Sequence, residues 1–296
     1  MLESLINPKK AERRPWEMFF IGLIWTIVAI VLVDLIFLKN YTFAKYNSIL
    51  IITFAVMLSI PFMFYLIKYE EKKCLKIEKE KTLMKEHGKA ILAFTFLFLG
   101  IMVAFILAFI VLSIPGLFPD YIISENFDAQ IRTYCSINMP GAVEDCVKNV
   151  GVGTVSQGIV PGFSEGLSRI ARILTNNFYV MIFALLFSFI FGFGAIFILT
   201  WNASVIATAI GIFINASLAK LHTGFLRYLV HGIPEILAYF IAALGGGIIS
   251  IAVIKHHYKD DKFWRILQDS LDLIILAIVV LIVSAVIEVF IIPLLF

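Results

Sequence analysis

Long runs of Ile, Leu, Val, Ala and Phe recur along the chain, with charged or turn-forming clusters between them. Seven of these runs cover residues 18–38, 48–67, 90–114, 178–200, 203–221, 232–254 and 271–292. Each is close to the ~20 mostly apolar residues that a helical membrane span needs. The pattern predicts an all-α polytopic transmembrane helix bundle of seven spans. The link between the fourth and fifth runs, around Trp201 and Asn202, is very short. A broken or re-entrant helix over 203–221, leaving six full spans, is the alternative expectation.

The stretches between the runs differ in kind. Residues 68–89 carry eight lysines against five glutamates, with helical pairs such as Glu78/Lys81 and Glu86/Lys89. Spans two and three are expected to continue there as a solvated, charged helical hairpin. Residues 115–160 hold Gly, Pro and polar residues and no long apolar run. After them Phe163, Leu167, Ile170 and Leu174 recur every three or four residues, with Glu165, Arg169 and Arg172 on other faces. That spacing predicts a short amphipathic helix lying on the membrane surface, and residues 256–267 read as a second. Three regions follow: 1–114 with three spans and a Lys-rich hairpin, 115–175 outside the membrane, and 176–296 with four spans.

Charge orients the bundle, because Lys and Arg collect on the cytoplasmic side. The basic clusters are Lys9, Lys10, Arg13 and Arg14, the 68–89 hairpin, and Lys255 with Lys259, Lys262 and Arg265. Seven spans put all three inside, with the N-terminus cytoplasmic and the C-terminus outside, in the cell membrane. No cleavable signal peptide is expected, since the apolar run after the charges at 9–14 is of span length. Composition agrees with a membrane protein: 61% hydrophobic, 15% charged, mean hydropathy +0.97. The net charge of +3 gives no sign of a nucleic-acid partner. Cys135 and Cys146 flank the turn pair Pro140-Gly141 on the outer side, where a disulfide is expected. Cys74 falls in the inner hairpin, where thiols stay reduced.

The oiliest half of the chain also holds ionisable groups: His231, Glu235 and Glu288. Such groups are costly at membrane depth, and they usually face a bundle interior. With the orientation above, all three fall in the outer leaflet. So do Asn176 and Asn177, which open span four, and Asn215 in span five; Asn202 is a further intramembrane amide. His231 and Glu235 share a helix face, with Arg227 one turn earlier. Pro234 suits a first helical turn, so a helix start near Gly232 is expected, with free N–H groups aimed at the acids.

Three readings of this set stand. It is a polar clamp between helices or between two copies, or a working site for protons, ions or a small substrate, or a metal site with His231, Glu235 and Glu288 as ligands. The His-x-x-x-Glu spacing lacks the second histidine of a metalloprotease helix, and no Gly-x-Ser-x-Gly, P-loop or Gly-x-Gly-x-x-Gly stands in a suitable context. Enzyme chemistry is therefore not expected. Gly192, Gly194, Gly211 and Gly245–Gly247 read as close helix contacts, with the triplet also a candidate hinge.

The segment from His231-Gly232 to Pro234-Glu235 resembles the His-Gly-x-x-Glu signature of the stage II sporulation protein M family. Asn176-Asn177, Gly192/Gly194 with Asn202 and Gly211, and Ala285 to Glu288 followed by Pro293 look similar too. The resemblance spans about residues 176–296. It implies a multispan membrane protein without catalytic activity. Family members in spore formers hold cell-wall hydrolases at the septal membrane. Many others occur in organisms that never sporulate. The three-span front, the Lys-rich hairpin and the Cys-bearing segment depart from the family pattern. The expectation is a scaffold or complex subunit in the bilayer, with membrane or extracytoplasmic protein partners and a second copy of itself, and with no cofactor. The alternative is a transporter-like subunit with a His/Glu ion or proton site, where a divalent cation is the one candidate ligand.

Overall fold

The computed structural model describes residues 7–138, 141–148, 163–216, 221–257 and 262–295. It is all-helical over those residues. A short helix α1 (Pro8–Arg13) leads into α2 (Trp16–Phe37), α3 (Asn47–Lys76) and α4 (Glu80–Leu112). Then come α5 (Asp120–Asn138), α6 (Val143–Lys148), α7 (Phe163–Phe191), α8 (Ala195–Ala216), α9 (Leu221–Ile254) and α10 (Lys262–Val286). A turn of π-helix, Ile287–Ile291, and a last turn, Ile292–Leu295, close the chain. Seven of these helices are long and apolar enough to cross a membrane.

The helices form two groups around a shared axis. In the first, α2 packs on α4 and α3; in the second, α9 packs on α10 and α7; α8 lies between, against α4 and α9. The axis is α9, with 83% of its span buried, while α7 at the rim has only 17% buried. Phe240 of α9 meets both Phe94 and Phe98 of α4 across this seam. Backbone contact is closest where side chains vanish. A Cβ on Gly22 would overlap the Leu97 carbonyl oxygen, and one on Gly100 would overlap that of Phe19, so α2 and α4 meet through reciprocal glycines. On α9, a Cβ at Gly246 would come within 2.6 Å of the Leu185 carbonyl oxygen. The glycine triplet lies within unbroken helix and serves as a packing face.

Four expectations change. The turn between spans four and five is Gly192-Phe193-Gly194, not Trp201-Asn202. Gly192 takes φ +72°, the left-handed conformation that ends a helix cheaply only at glycine. Asn202 is instead inside α8, its amide donating to the Ile198 carbonyl at 2.7 Å. Span five is therefore one unbroken helix of 22 residues, about 33 Å long and enough for a full crossing rather than a re-entrant loop. Second, residues 163–174 are no separate surface helix. They are the first turns of α7, which runs on without interruption to Phe191. Of residues 256–267, 256–257 belong to the turn after α9 and 262–267 to the start of α10. Third, α9 begins at Leu221, so Pro234 lies inside it and no helix start points free N–H groups at Glu235.

The fourth correction concerns the Lys-rich hairpin. Helices α3 and α4 do run past their apolar spans, but the hairpin is not simply solvated. Glu70, Glu71, Lys73, Cys74 and His87 are buried in it. The exposed positions keep Lys72, Lys76, Lys79, Lys81 and Lys85.

Candidate functional site

Polar groups tie the bundle at two levels, one near each end of the spans. The first level holds the expected acids. Glu235 of α9 accepts a hydrogen bond from the Asn177 side-chain amide of α7. Glu288, on the π turn after α10, comes within hydrogen-bond reach of Glu235. The extra residue in the π turn resets the helix phase at this point, and such turns recur at functional positions. Asn176 extends the chain, its amide 3.4 Å from the Asn177 oxygen. Tyr239, one turn along α9 and buried, faces both acids. Three helices are thus joined through one carboxyl.

Of the expected set, the structure brings together Asn176, Asn177, Glu235 and Glu288. Asn202 stays apart, bonded within its own helix. The side chains of His231 and Asn215 lie outside the described residues. Among the described residues no three His, Cys, Asp or Glu side chains form a metal-binding group.

A second tie on the same half of the bundle was not expected. Asp34 of α2 accepts from the Asn47 amide at 2.7 Å and from the Asn126 amide at 3.0 Å. Asn47 also donates to the Asn126 oxygen at 2.6 Å. Four residues on, Gln130 reaches Ser204 of α8 at 3.3 Å. Helix α5 is thereby stitched into the bundle, with Phe127 against Phe105 and Phe109. Cys135 on α5 is disulfide-bonded to Cys146 on α6, with Cα atoms 5.7 Å apart. The missed signal was Asp34, a lone acid in the first apolar run, which membrane cost alone marks for a partner.

The other level, at the lysine-rich end, is a buried ion network. Lys73 contacts both oxygens of Glu12 at 2.7 and 2.8 Å, Glu70 at 2.8 Å and Glu86 at 3.5 Å. His87 Nδ1 lies 2.7 Å from Glu70, and its Nε2 lies 3.9 Å from the Cys74 thiol. Glu71 pairs with Lys255 and, at 3.1 Å, with His257. Arg265 of α10 donates to the Ile77 carbonyl at the end of α3. Burial pushes the Glu12 carboxyl up to about 8, the nearby Glu70 carboxyl adds to the rise, and Lys73 opposes it. The Lys/Glu alternation concealed this network, because the same spacing serves a solvated helix or a paired one.

Two of the voids among the spans of the described residues have almost wholly apolar walls. The larger sits between α4 and α9, against Phe98, Met102, Ile236 and Phe240. The one hydroxyl in its wall, Thr95, donates to the Ile91 carbonyl.

Seven span-length helices, cross-tied by polar groups, define an all-helical multi-pass membrane protein. The family model for stage II sporulation protein M matches residues 93–293, and the chain belongs to that family. The match is wider than the stretch that carries the signature residues. It takes in most of α4, the disulfide-bonded segment and both tied acids, and leaves α1 to α3 outside. No curated protein and no solved structure matches the chain.

Proposed function

We propose that the protein is a non-enzymatic scaffold of a membrane complex, set in the cell membrane with its N-terminus cytoplasmic. The observation that carries this reading is the engagement of Glu235. Its carboxyl holds α7 and α10 onto α9 through Asn177 and Glu288. A side chain spent on joining helices rigidifies the bundle. The Asp34–Asn47–Asn126 tie does the same for α5, and so fixes the disulfide-bonded α5–α6 unit on the membrane face. That unit is the surface proposed to meet extracytoplasmic partners, envelope-remodelling proteins by family.

One observation favours a second reading, a proton-coupled transporter subunit. Glu235 and Glu288 stand within hydrogen-bond reach of each other at membrane depth, where paired acids commonly mark proton or ion paths. Reconstitution separates the two. Wild type and Glu288→Gln are placed in liposomes carrying an internal pH dye, and their melting is followed in detergent. A scaffold shows the same low proton leak for both proteins, and Glu288→Gln stays assembled because an amide keeps part of the hydrogen bonding. A wild-type flux that Glu288→Gln abolishes while still folded would replace the scaffold with the transporter.

A further inference from the structure

Helix α1 is six residues long, too short to persist by itself. It is held by what it docks on. Ala11 is fully buried, and the Glu12 side chain is only 6% exposed. Around the Glu12 carboxyl stand Tyr69, Glu70 and Lys73 of α3, with Glu86 and His87 of α4 behind them. Lys89 answers Glu86, and Asp269 of α10 faces the far side of His87. On α1 itself Arg13 is exposed, and just beyond it Arg14 pairs with Glu17 of α2 at 3.5 Å.

The charges do not balance. Lys73 is the ammonium shared by Glu12, Glu70 and Glu86. Glu12 and Glu70 are also close enough to hydrogen-bond to each other. Two carboxyl groups at that separation, both buried, do not both stay ionised. Glu70 is already engaged by Lys73 and His87, so an ionised Glu12 adds negative charge to a full pocket. A neutral Glu12 instead offers the hydrogen that the pair needs.

We propose that this pocket is a proton-binding site, and that the proton shared by Glu12 and Glu70 holds α1 docked on the lysine-rich hairpin. Loss of the proton frees α1 and the basic residues it carries, Lys9, Lys10 and Arg13. The direction follows from the raised Glu12 carboxyl. A free carboxyl of ordinary value 4.5 loses its proton well before a docked one at about 8. Docking is therefore complete at low pH, weakens as pH climbs between those values, and levels off above the higher one.

Hydrogen exchange read by mass spectrometry tests this on the full chain in lipid nanodiscs, with rates corrected for intrinsic pH dependence. The amides of Lys10, Ala11 and Arg14, which bond within this turn, are the reporters. In wild type their protection falls up to about tenfold per pH unit between about pH 5.5 and pH 8, then flattens. Glu12→Gln, neutral at every pH, keeps the low-pH protection throughout. Glu70→Gln removes the competing carboxyl and makes the fall shallower. Three results overturn the proposal: a flat wild-type profile, a Glu12→Gln profile that follows wild type, or a Glu12→Gln protein whose α1 is unprotected even in acid.

Discussion

Three glycines in the first half of the bundle test how closely the helices pack. Gly22 and Gly100 let α2 and α4 meet backbone to backbone, whereas a Cβ on Gly88 would meet nothing within 4 Å. Alanine is the better helix former by about 1 kcal/mol. At Gly88 that gain is uncontested, so Gly88→Ala stabilises by about 0.5–1 kcal/mol. At Gly100 the methyl meets a carbonyl oxygen of the partner helix, and Gly100→Ala is expected to lose a net 1–3 kcal/mol or so. Thermal melting in detergent gives opposite signs for the two variants; equal shifts would mean that α2 stands off α4. The same scale shows what single residues disclosed. Glu235 and Glu288 were legible because an acid in an apolar run has few reasons to be there, and Asn177 because, with Asn176, it opens a span at the depth of those acids. Asn47 and Asn126 were not, since each lies at a span edge or in a polar segment, where an amide needs no explanation. Only Asp34, their shared acceptor, makes sense of them.

At the scale of elements, the α5–α6 unit combines two kinds of restraint. The Cys135–Cys146 bridge closes a loop of sequence separation 11, worth about 2–3 kcal/mol in chain entropy. Asn126, Phe127 and Gln130 anchor α5 independently of it. Replacing both cysteines by serine is expected to speed proteolysis of α6 while leaving the melting of the spans nearly unchanged. A collapse of the whole bundle would show that the bridge, rather than the buried side chains, holds α5. The seven long elements were readable from apolar run length, and so was the extension of α3 and α4, whereas α1, α5 and α6, which lack such runs, were not. Element boundaries were not. Gly192 and Gly194 looked like packing residues, and nothing in local composition told that Gly192 would take a left-handed turn. Nor did the sequence show the π turn carrying Glu288, whose Phe290 packs closely on Gly166 of α7.

For the whole molecule, an odd number of crossings separates the two ends, and the free thiol background is clean. Cys74 is buried and the other two cysteines are bonded to each other. Single cysteines can therefore report sidedness. Tyr41, 99% exposed in the link before α3, is expected as Tyr41→Cys to react with an impermeant maleimide on intact cells. Lys79→Cys at the hairpin tip is expected to react only after permeabilisation. The reverse pattern would invert the proposed orientation. The bundle architecture was legible at this scale, because seven apolar runs leave little choice. The ion network was not, because its members come from α1, α3, α4 and α10 and from the turn after α9, and only the finished packing brings them together.

That last fact has a consequence in time. Glu71 is synthesised 184 residues before Lys255, its partner. At ordinary translation rates of about 5–20 residues per second, it waits on the order of ten to forty seconds. Through that interval a carboxylate destined for burial stays open to water or to chaperones, and the hairpin cannot close around it. A chain stalled or cut short before the end of α9 keeps the same open face indefinitely. The exposed acid thus marks an unfinished molecule, and its burial a completed one.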